Sequence, residues 1–264
     1  MKEQLQLFLT AVMFYTRIPV PKTAHHYAEK LSLATKYLPL IGWITGGACV
    51  LALYGLAQVW PYPVALLLSM AISLWLTGAF HEDGLADFCD GFGGGWTKAQ
   101  ILDIMKDSRI GTYGMAGLLL VMLLKFYCLY SLGLPHALLA LWVAHPLSRF
   151  AAVTIIYTDP YARENEDAKA KPVAQGIRLP DLLLAGLLAV LPLAVLLWQE
   201  PGQGAQAGLL CAGWLIAPTL ARWCLLRLMR KWIGGYTGDC LGAVQQAAEI
   251  SIYLVSCAVW RTVA

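Results

Sequence analysis

Between His81 and Gly114 the chain reads HEDGLADFCDGFGGGWTKAQILDIMKDSRIGTYG. This stretch holds six of the sixteen acidic residues of the chain: Glu82, Asp83, Asp87, Asp90, Asp103 and Asp107. Asp83, Asp87 and Asp90 are spaced i, i+4, i+7, which puts them on one face of a helix continuing from the apolar run before it. Asp103 and Asp107, also four apart, stand where a later apolar run begins. Gly91, Gly93, Gly94 and Gly95 lie between the two groups, and such a run is expected to break a helix and let the chain reverse. The two acidic faces then meet. Carboxylates that converge repel one another unless a cation lies between them. Hard oxygen ligands suit Mg²⁺, with Mn²⁺ as a substitute, and such ions bridge protein carboxylates to substrate phosphates. They steady charge on a phosphoryl group and help ionise an attacking hydroxyl. Asp83, Asp87, Asp90 and Asp107 are the expected catalytic carboxylates, and Asp103 joins them as an expected metal ligand. Lys106 and Arg109, expected on adjoining surfaces of a helix, cannot bind the cation but can hold the phosphates it bridges, with Arg109 as a bidentate fork. Ser108 and the amides of Gly93 and Gly94 are further expected phosphate contacts.

The elements that position these groups are membrane helices. Of 264 residues, 59% are apolar and 13% charged, about half the charged fraction of a soluble domain. The apolar residues come in long runs, and a span needs roughly 20 of them. Spans are expected near 38–58, 62–80, 113–134, 136–157, 181–199 and 207–228. A seventh candidate at 244–260 contains Glu249 and Gln245 and is either shielded by the bundle or not a full span. The fold class is therefore all-α: a polytopic transmembrane bundle of six to seven spans forming one domain over 1–264. Residues 4–18 read as a short N-terminal helix at the interface. Backbone polar groups in lipid must be satisfied internally, which makes these runs helices.

Basic residues fix the expected orientation. The connections at 59–61, 135 and 200–206 carry no Lys or Arg, whereas the alternate segments carry Lys22, Lys36, Lys98, Lys106, Arg109, Arg163, Lys169, Arg178 and Arg230. The basic side, with the acidic segment and the 158–180 loop, is expected to face the cytoplasm of a bacterial or archaeal cell. The net charge of +3 says little about partners, and no nucleic-acid partner is expected; a lipid environment is, and a homo-oligomer is compatible with the chain. Seven scattered cysteines without a CxxC pair suggest small buried hydrophobes, not a zinc site or a disulfide framework.

A solvated acidic loop is the plainest alternative for the 81–114 stretch. Charges are scarce in this chain, and carboxylates at a membrane edge are functional candidates by default. A carrier would place its acids near mid-membrane, in broken helices of paired repeats; here they cluster at one face, and no repeat is visible. Lys125, about three turns into the third span, requires a buried partner. Arg149 is expected near the cytoplasmic end of the fourth span, as a snorkelling residue or a partner for a carboxylate or phosphate. Arg17 is suited to a phosphate or a lipid headgroup.

The segments EDGLADFCDGFGGG (82–95) and IMKDSRIGTYG (104–114) resemble the signature of the cobalamin synthase family, the adenosylcobinamide-GDP ribazoletransferases. Three further elements carry the resemblance along most of the chain: 16–21 (TRIPVP), 146–149 (PLSR) and 234–243 (GGYTGDCLGA). The resemblance implies a Mg²⁺-dependent transfer that joins a nucleotide-activated corrinoid, adenosylcobinamide-GDP, to α-ribazole or its 5′-phosphate. The implied products are adenosylcobalamin or its 5′-phosphate, with GMP leaving. It also implies substrate contacts at Thr237 and Asp239. The acidic segment is similar as well to the DxxDGxxAR…DxxxD pattern of CDP-alcohol phosphotransferases: Asp87-x-x-Asp90-Gly91 and Asp103-xxx-Asp107 match its ends. Gly94 and Gly95 stand where that pattern has Ala-Arg, and the interval from Asp87 to Asp107 is shorter. These departures argue against a phospholipid synthase and open a ligand role for Asp83.

Overall fold

The computed structural model describes residues 2–21, 31–163, 176–194 and 204–261. The helices are α1 (Lys2–Tyr15), α2 (Leu31–Ala34), α3 (Leu38–Leu56), α4 (Tyr62–Thr77), α5 (Phe80–Gly94), α6 (Lys98–Ile104), α7 (Thr112–Thr158), α8 (Leu179–Val190), α9 (Gly204–Trp232) and α10 (Gly238–Arg261). Among the described residues four helices are long and apolar enough to cross a membrane, or five if the bent pair α4–α5 is counted as one span. Leu51, Leu119, Leu120, Leu183, Leu209 and Leu220 all point outward, and Lys36, Lys125, Arg149, Glu249 and Gln245 point inward. That inversion suits lipid, which solvates leucine and excludes unpaired charge.

The 47-residue α7 is two helices. As one rod it would be about 70 Å long, more than twice the hydrocarbon core. Gly133 breaks it with φ 68° and ψ 170°, a conformation that a side chain would strain. Met122 and Lys125 on the first arm line the same cavity as Leu141 and His145 on the second, so the arms lie side by side. They occupy the stretches expected at 113–134 and 136–157.

Of the stretch expected as a span at 181–199, the described residues include the 12-residue α8; residues 195–203 lie outside the described set. Helix α8 is pinned by Asp181, which takes Lys36 Nζ at 3.0 Å and Arg178 Nε at 2.9 Å. The doubtful segment 244–260 is the inner part of α10, which satisfies the length and hydropathy of a span and is 67% buried. Its polar residues are shielded because α10 packs between α5, α7 and α9. Much of the 158–180 loop, residues 164–175, lies outside the described residues.

Helices α3 and α7 meet closely at Gly42. A Cβ there would lie 2.6 Å from Pro146 Cα and 2.7 Å from the His145 carbonyl oxygen, both backbone atoms that cannot turn aside. Gly42→Ala is expected to lower stability by about 1–3 kcal/mol, as overpacking does, read as a lower melting temperature in detergent. A melting temperature equal to that of the unaltered protein would contradict this packing.

Candidate active site

The acidic helix does not continue from the span before it. Gly78 (φ 65°) and Ala79 (φ 56°) are both left-handed, and α5 leaves α4 at 87°. Helix α5 therefore runs nearly perpendicular to α4. Arg17 sits in this corner: its backbone N–H donates to the Leu76 carbonyl at 2.8 Å, and its guanidinium lies over Gly78 where a Cβ would clash. Helix α5 is amphipathic. His81, Glu82, Leu85 and Phe88 are buried, and Asp83 is exposed with Asp87 half-buried.

The expected glycine break also lies elsewhere. Helix α5 runs through Gly91, Gly93 and Gly94 and ends at Gly95, where the backbone turns extended. These glycines serve close packing: a side chain at Gly91 would meet Met105, and one at Gly93 would run into the Tyr113 ring.

Asp90 is buried, and its carboxylate is already engaged. Gly111 N–H donates to one oxygen at 2.7 Å and Gly114 N–H to the other at 2.8 Å. These are free donors at the N-terminus of α7, where a negative group is favoured. Asp90 thus ties α5 to α7.

Asp103 and Asp107 are not on the span helix either. Asp103 is exposed on the short α6, and Asp107 follows in the turn. Arg109 is not on a helix beside it but clamps it: Nε to Oδ1 at 3.0 Å, Nη2 to Oδ2 at 2.6 Å, with the Arg109 backbone N–H on Oδ1 at 3.0 Å. This fork holds the Asp107 carboxyl down at about 2. Lys106 and Ser108 are exposed in the same turn.

Asp239 enters from the other side. After Trp232 the chain pairs with the segment following α7: Tyr161 and Tyr236 form an isolated bridge, with Ala162 N–H on the Tyr236 carbonyl at 2.8 Å. Thr237 caps α10 by accepting from Cys240 N–H at 3.3 Å, and its hydroxyl donates to Asp239 at 3.3 Å. Helices α5 and α10 cross at Gly84 and Gly242, where a Cβ on Gly84 would lie 3.0 Å from the Asp239 carbonyl oxygen. Asp239 is thereby brought beside the acidic face. Arg163, which no motif or spacing marks, lies 3.4 Å from Asp239 Oδ2. Burial, then the charges of Asp239, Asp83 and Asp90, push the Asp87 carboxyl up to about 7, with Arg163 opposing.

The structure therefore brings Asp87 together with Asp83, Asp90, Asp239 and Arg163, while Asp103 lies on α6 and Asp107 in the turn after it. Among the described residues no three acidic, histidine or cysteine side chains already form a coordination shell. The donor set nevertheless fits a hard divalent cation, because crowded carboxylates with one arginine are short of positive charge. Arg149 is elsewhere: it is 2% exposed, inside the bundle, with Nη1 donating to the His145 carbonyl at 3.0 Å. It neither snorkels nor reaches the acidic face.

Known sequences are similar to this chain over nearly its whole length. The sequence model of the family described as cobalamin-5-phosphate synthase matches residues 7–257. The chain belongs to that family. Adenosylcobinamide-GDP ribazoletransferases are similar to it over nearly their whole length: 43% identity for that of Shewanella woodyi, covering 97% of this chain and 96% of the relative, 42% for that of Vibrio cholerae, covering 97% and 94%, and 46% for that of Leptothrix cholodnii, covering 95% and 94%. No solved structure matches. Within this chain, the acidic face of α5 and the 234–243 turn are two motifs remote in sequence that the fold joins at one end of the bundle.

Proposed function

We propose that the chain is a Mg²⁺-dependent, multi-pass transferase of the bacterial cytoplasmic membrane that joins adenosylcobinamide-GDP to α-ribazole or its 5′-phosphate and releases GMP, with its site facing the cytoplasm. The observation that carries this reading is the meeting of Asp83 and Asp87 with Asp239 beside Arg163, in a chain whose relatives carry that enzyme name. Asp83, Asp87 and Asp239 would hold the divalent ion, with Mn²⁺ as a substitute. When bound, the ion supplies charge stabilisation at the transferring phosphoryl group. Asp87 and its neighbours are placed to accept the proton of the attacking ribose hydroxyl. Arg163 at the centre, with Lys106 and Arg109 at the exposed turn, offers cationic donors to the diphosphate. Asp90 holds the start of α7 against α5, so the two halves of the motif move together.

A CDP-alcohol phosphotransferase is the second reading for the DxxDG pattern. The short interval from Asp87 to Asp107 in the sequence weighs against it, as does a family match over almost the whole chain.

Metal removal tests the reading. Turnover of adenosylcobinamide-GDP with α-ribazole by purified protein should vanish in a strong chelator and return with added Mg²⁺ or Mn²⁺; full turnover in chelator would end the metal assignment. Arg109→Lys keeps the charge but loses the fork. It is expected to raise KM for the nucleotide-activated corrinoid roughly tenfold while KM for α-ribazole stays constant. A KM indistinguishable from that of the unaltered enzyme would remove Arg109 from the substrate contacts.

A further inference from the structure

Helix α9 carries an exposed stripe along its length. Leu209, Ile216, Leu220, Trp223 and Arg227 are all exposed, and at about 100° per residue they fall within about 60° of arc. The span from Gln206 to Trp232 has 27 residues. Such a helix is about 40 Å long, roughly 10 Å more than the hydrocarbon core. About twenty residues suffice to cross that core, so Arg227 and Lys231 fall at the level of the lipid headgroups. The apolar part of the stripe then faces the lipid tails.

Two of the three arginines of α9 are satisfied within the protein. Arg222 donates from Nε to Thr154 Oγ1 at 2.6 Å and from Nη2 to Thr158 Oγ1 at 2.7 Å. Arg230 donates from Nε to Asp159 Oδ1 at 2.6 Å. Arg227 differs: among the described residues no hydrogen bond or ion pair meets it. Its Cζ lies 4.0 Å from the centre of the Trp223 ring, a cation–π contact. Trp223 is one turn nearer the apolar part of the helix, so the ring draws the charge toward the hydrocarbon. An arginine at a span end ordinarily extends the other way, toward water. Lys231, one turn further out, is exposed and has no acidic partner among the described residues. A guanidinium with its fork unfilled beside hydrocarbon is costly. At that level the bilayer itself supplies phosphate, and the planar fork suits two phosphate oxygens.

We propose that Arg227, stacked on Trp223, and Lys231 form a site for the headgroup phosphate of an anionic phospholipid, whose acyl chains lie along Leu220 and Ile216. Charge complementarity selects the anionic class. Helix α9 contains no acidic residue, so nothing on it would attract the cationic headgroup of a zwitterionic lipid, and two cations would repel it. From this site the chain runs through Ile233 into the turn that holds Thr237 and Asp239. The bound lipid thus anchors the stem of the candidate active site at the membrane surface, whichever substrate that site takes.

The test is native mass spectrometry of the detergent-solubilised full chain with an equimolar mixture of phosphatidylglycerol and phosphatidylcholine bearing the same acyl chains. Phosphatidylglycerol should be retained roughly 10–30-fold more, the scale set by two surface cations. Arg227→Gln should bring that ratio to within about threefold. Lys98→Gln, which removes an exposed charge on α6, should leave it unchanged. The ratio is taken within each folded sample, so a loss of stability in a variant does not move it. Equal retention of the two lipids by the unaltered chain, or a full preference persisting in Arg227→Gln, would overturn the site. An equal loss in Lys98→Gln would do so too, by reducing the effect to net charge. Glycerol phosphate presents the headgroup without the chains and should leave the lipid bound; if it displaced the lipid, the site would belong to soluble phosphates and the lipid assignment would fail. A dimer that Arg227→Gln splits into monomers would give the stripe to a second copy of the chain and likewise overturn the proposal.

Discussion

Asp87→Asn should leave a folded, inactive protein. The carboxylate of Asp87 is half-buried and surrounded by Asp239, Asp83 and Asp90, and no hydrogen bond or ion pair holds it among the described residues. Its charge is therefore unfavourable for the fold and useful only toward a cation. Removing it is expected to cut kcat/KM by a factor on the order of 10³ or more, since the ion provides much of the transition-state stabilisation. In metal-free buffer the variant should melt no lower than the unaltered protein, and Mg²⁺ should raise the melting temperature of the unaltered protein only. A variant that melts well below it would make Asp87 structural, and one that turns over normally would make it a bystander. Asp90→Asn should behave differently. It weakens the grip on Gly111 and Gly114 and is expected to lose stability and activity together.

Lys125→Met should be among the most destabilising single changes in the membrane-embedded part. Lys125 and Glu249 are both buried and 2.9 Å apart. Removing one leaves the other charged and alone, which costs about 3–5 kcal/mol. The double variant Lys125→Met with Glu249→Gln should recover most of that loss. No unpaired charge then remains, and the carbonyl oxygen of the introduced glutamine can still accept from Tyr253. Thermal unfolding in detergent, run on both single variants and the double, gives the coupling directly. Additive losses would show that the two side chains do not depend on each other.

The residues behind these two predictions illustrate what a sequence can and cannot carry. Asp83, Asp87 and Asp90 are legible because helical spacing alone puts them on one face. The direction of their helix is not, because the corner at Gly78 and Ala79 depends on a non-glycine residue in a left-handed conformation, which no apolar pattern marks. By spacing, Asp90 is equivalent to its neighbours; only the fold brings the N-terminus of α7 to its carboxylate. Lys125 and Glu249 are each conspicuous as charges in apolar runs. Their pairing requires the first arm of α7 to lie against α10, a tertiary contact between elements remote in the chain. Arg163 has no signal at all, since a short bridge between Tyr161 and Tyr236 delivers it. The two arms of α7 are readable from length and hydropathy, and the break between them falls at a glycine.

Whether this end of the bundle joins two substrates with loss of GMP is tested most directly by following GMP and corrinoid product together. One reaction of the purified protein with adenosylcobinamide-GDP, α-ribazole and Mg²⁺ suffices. GMP and the α-ribazole-containing corrinoid should appear in equal amounts, neither should form when α-ribazole is left out, and neither should form with Asp87→Asn. GMP released at the same rate without α-ribazole, or corrinoid product formed at full rate by Asp87→Asn, would contradict the proposed reaction and its site.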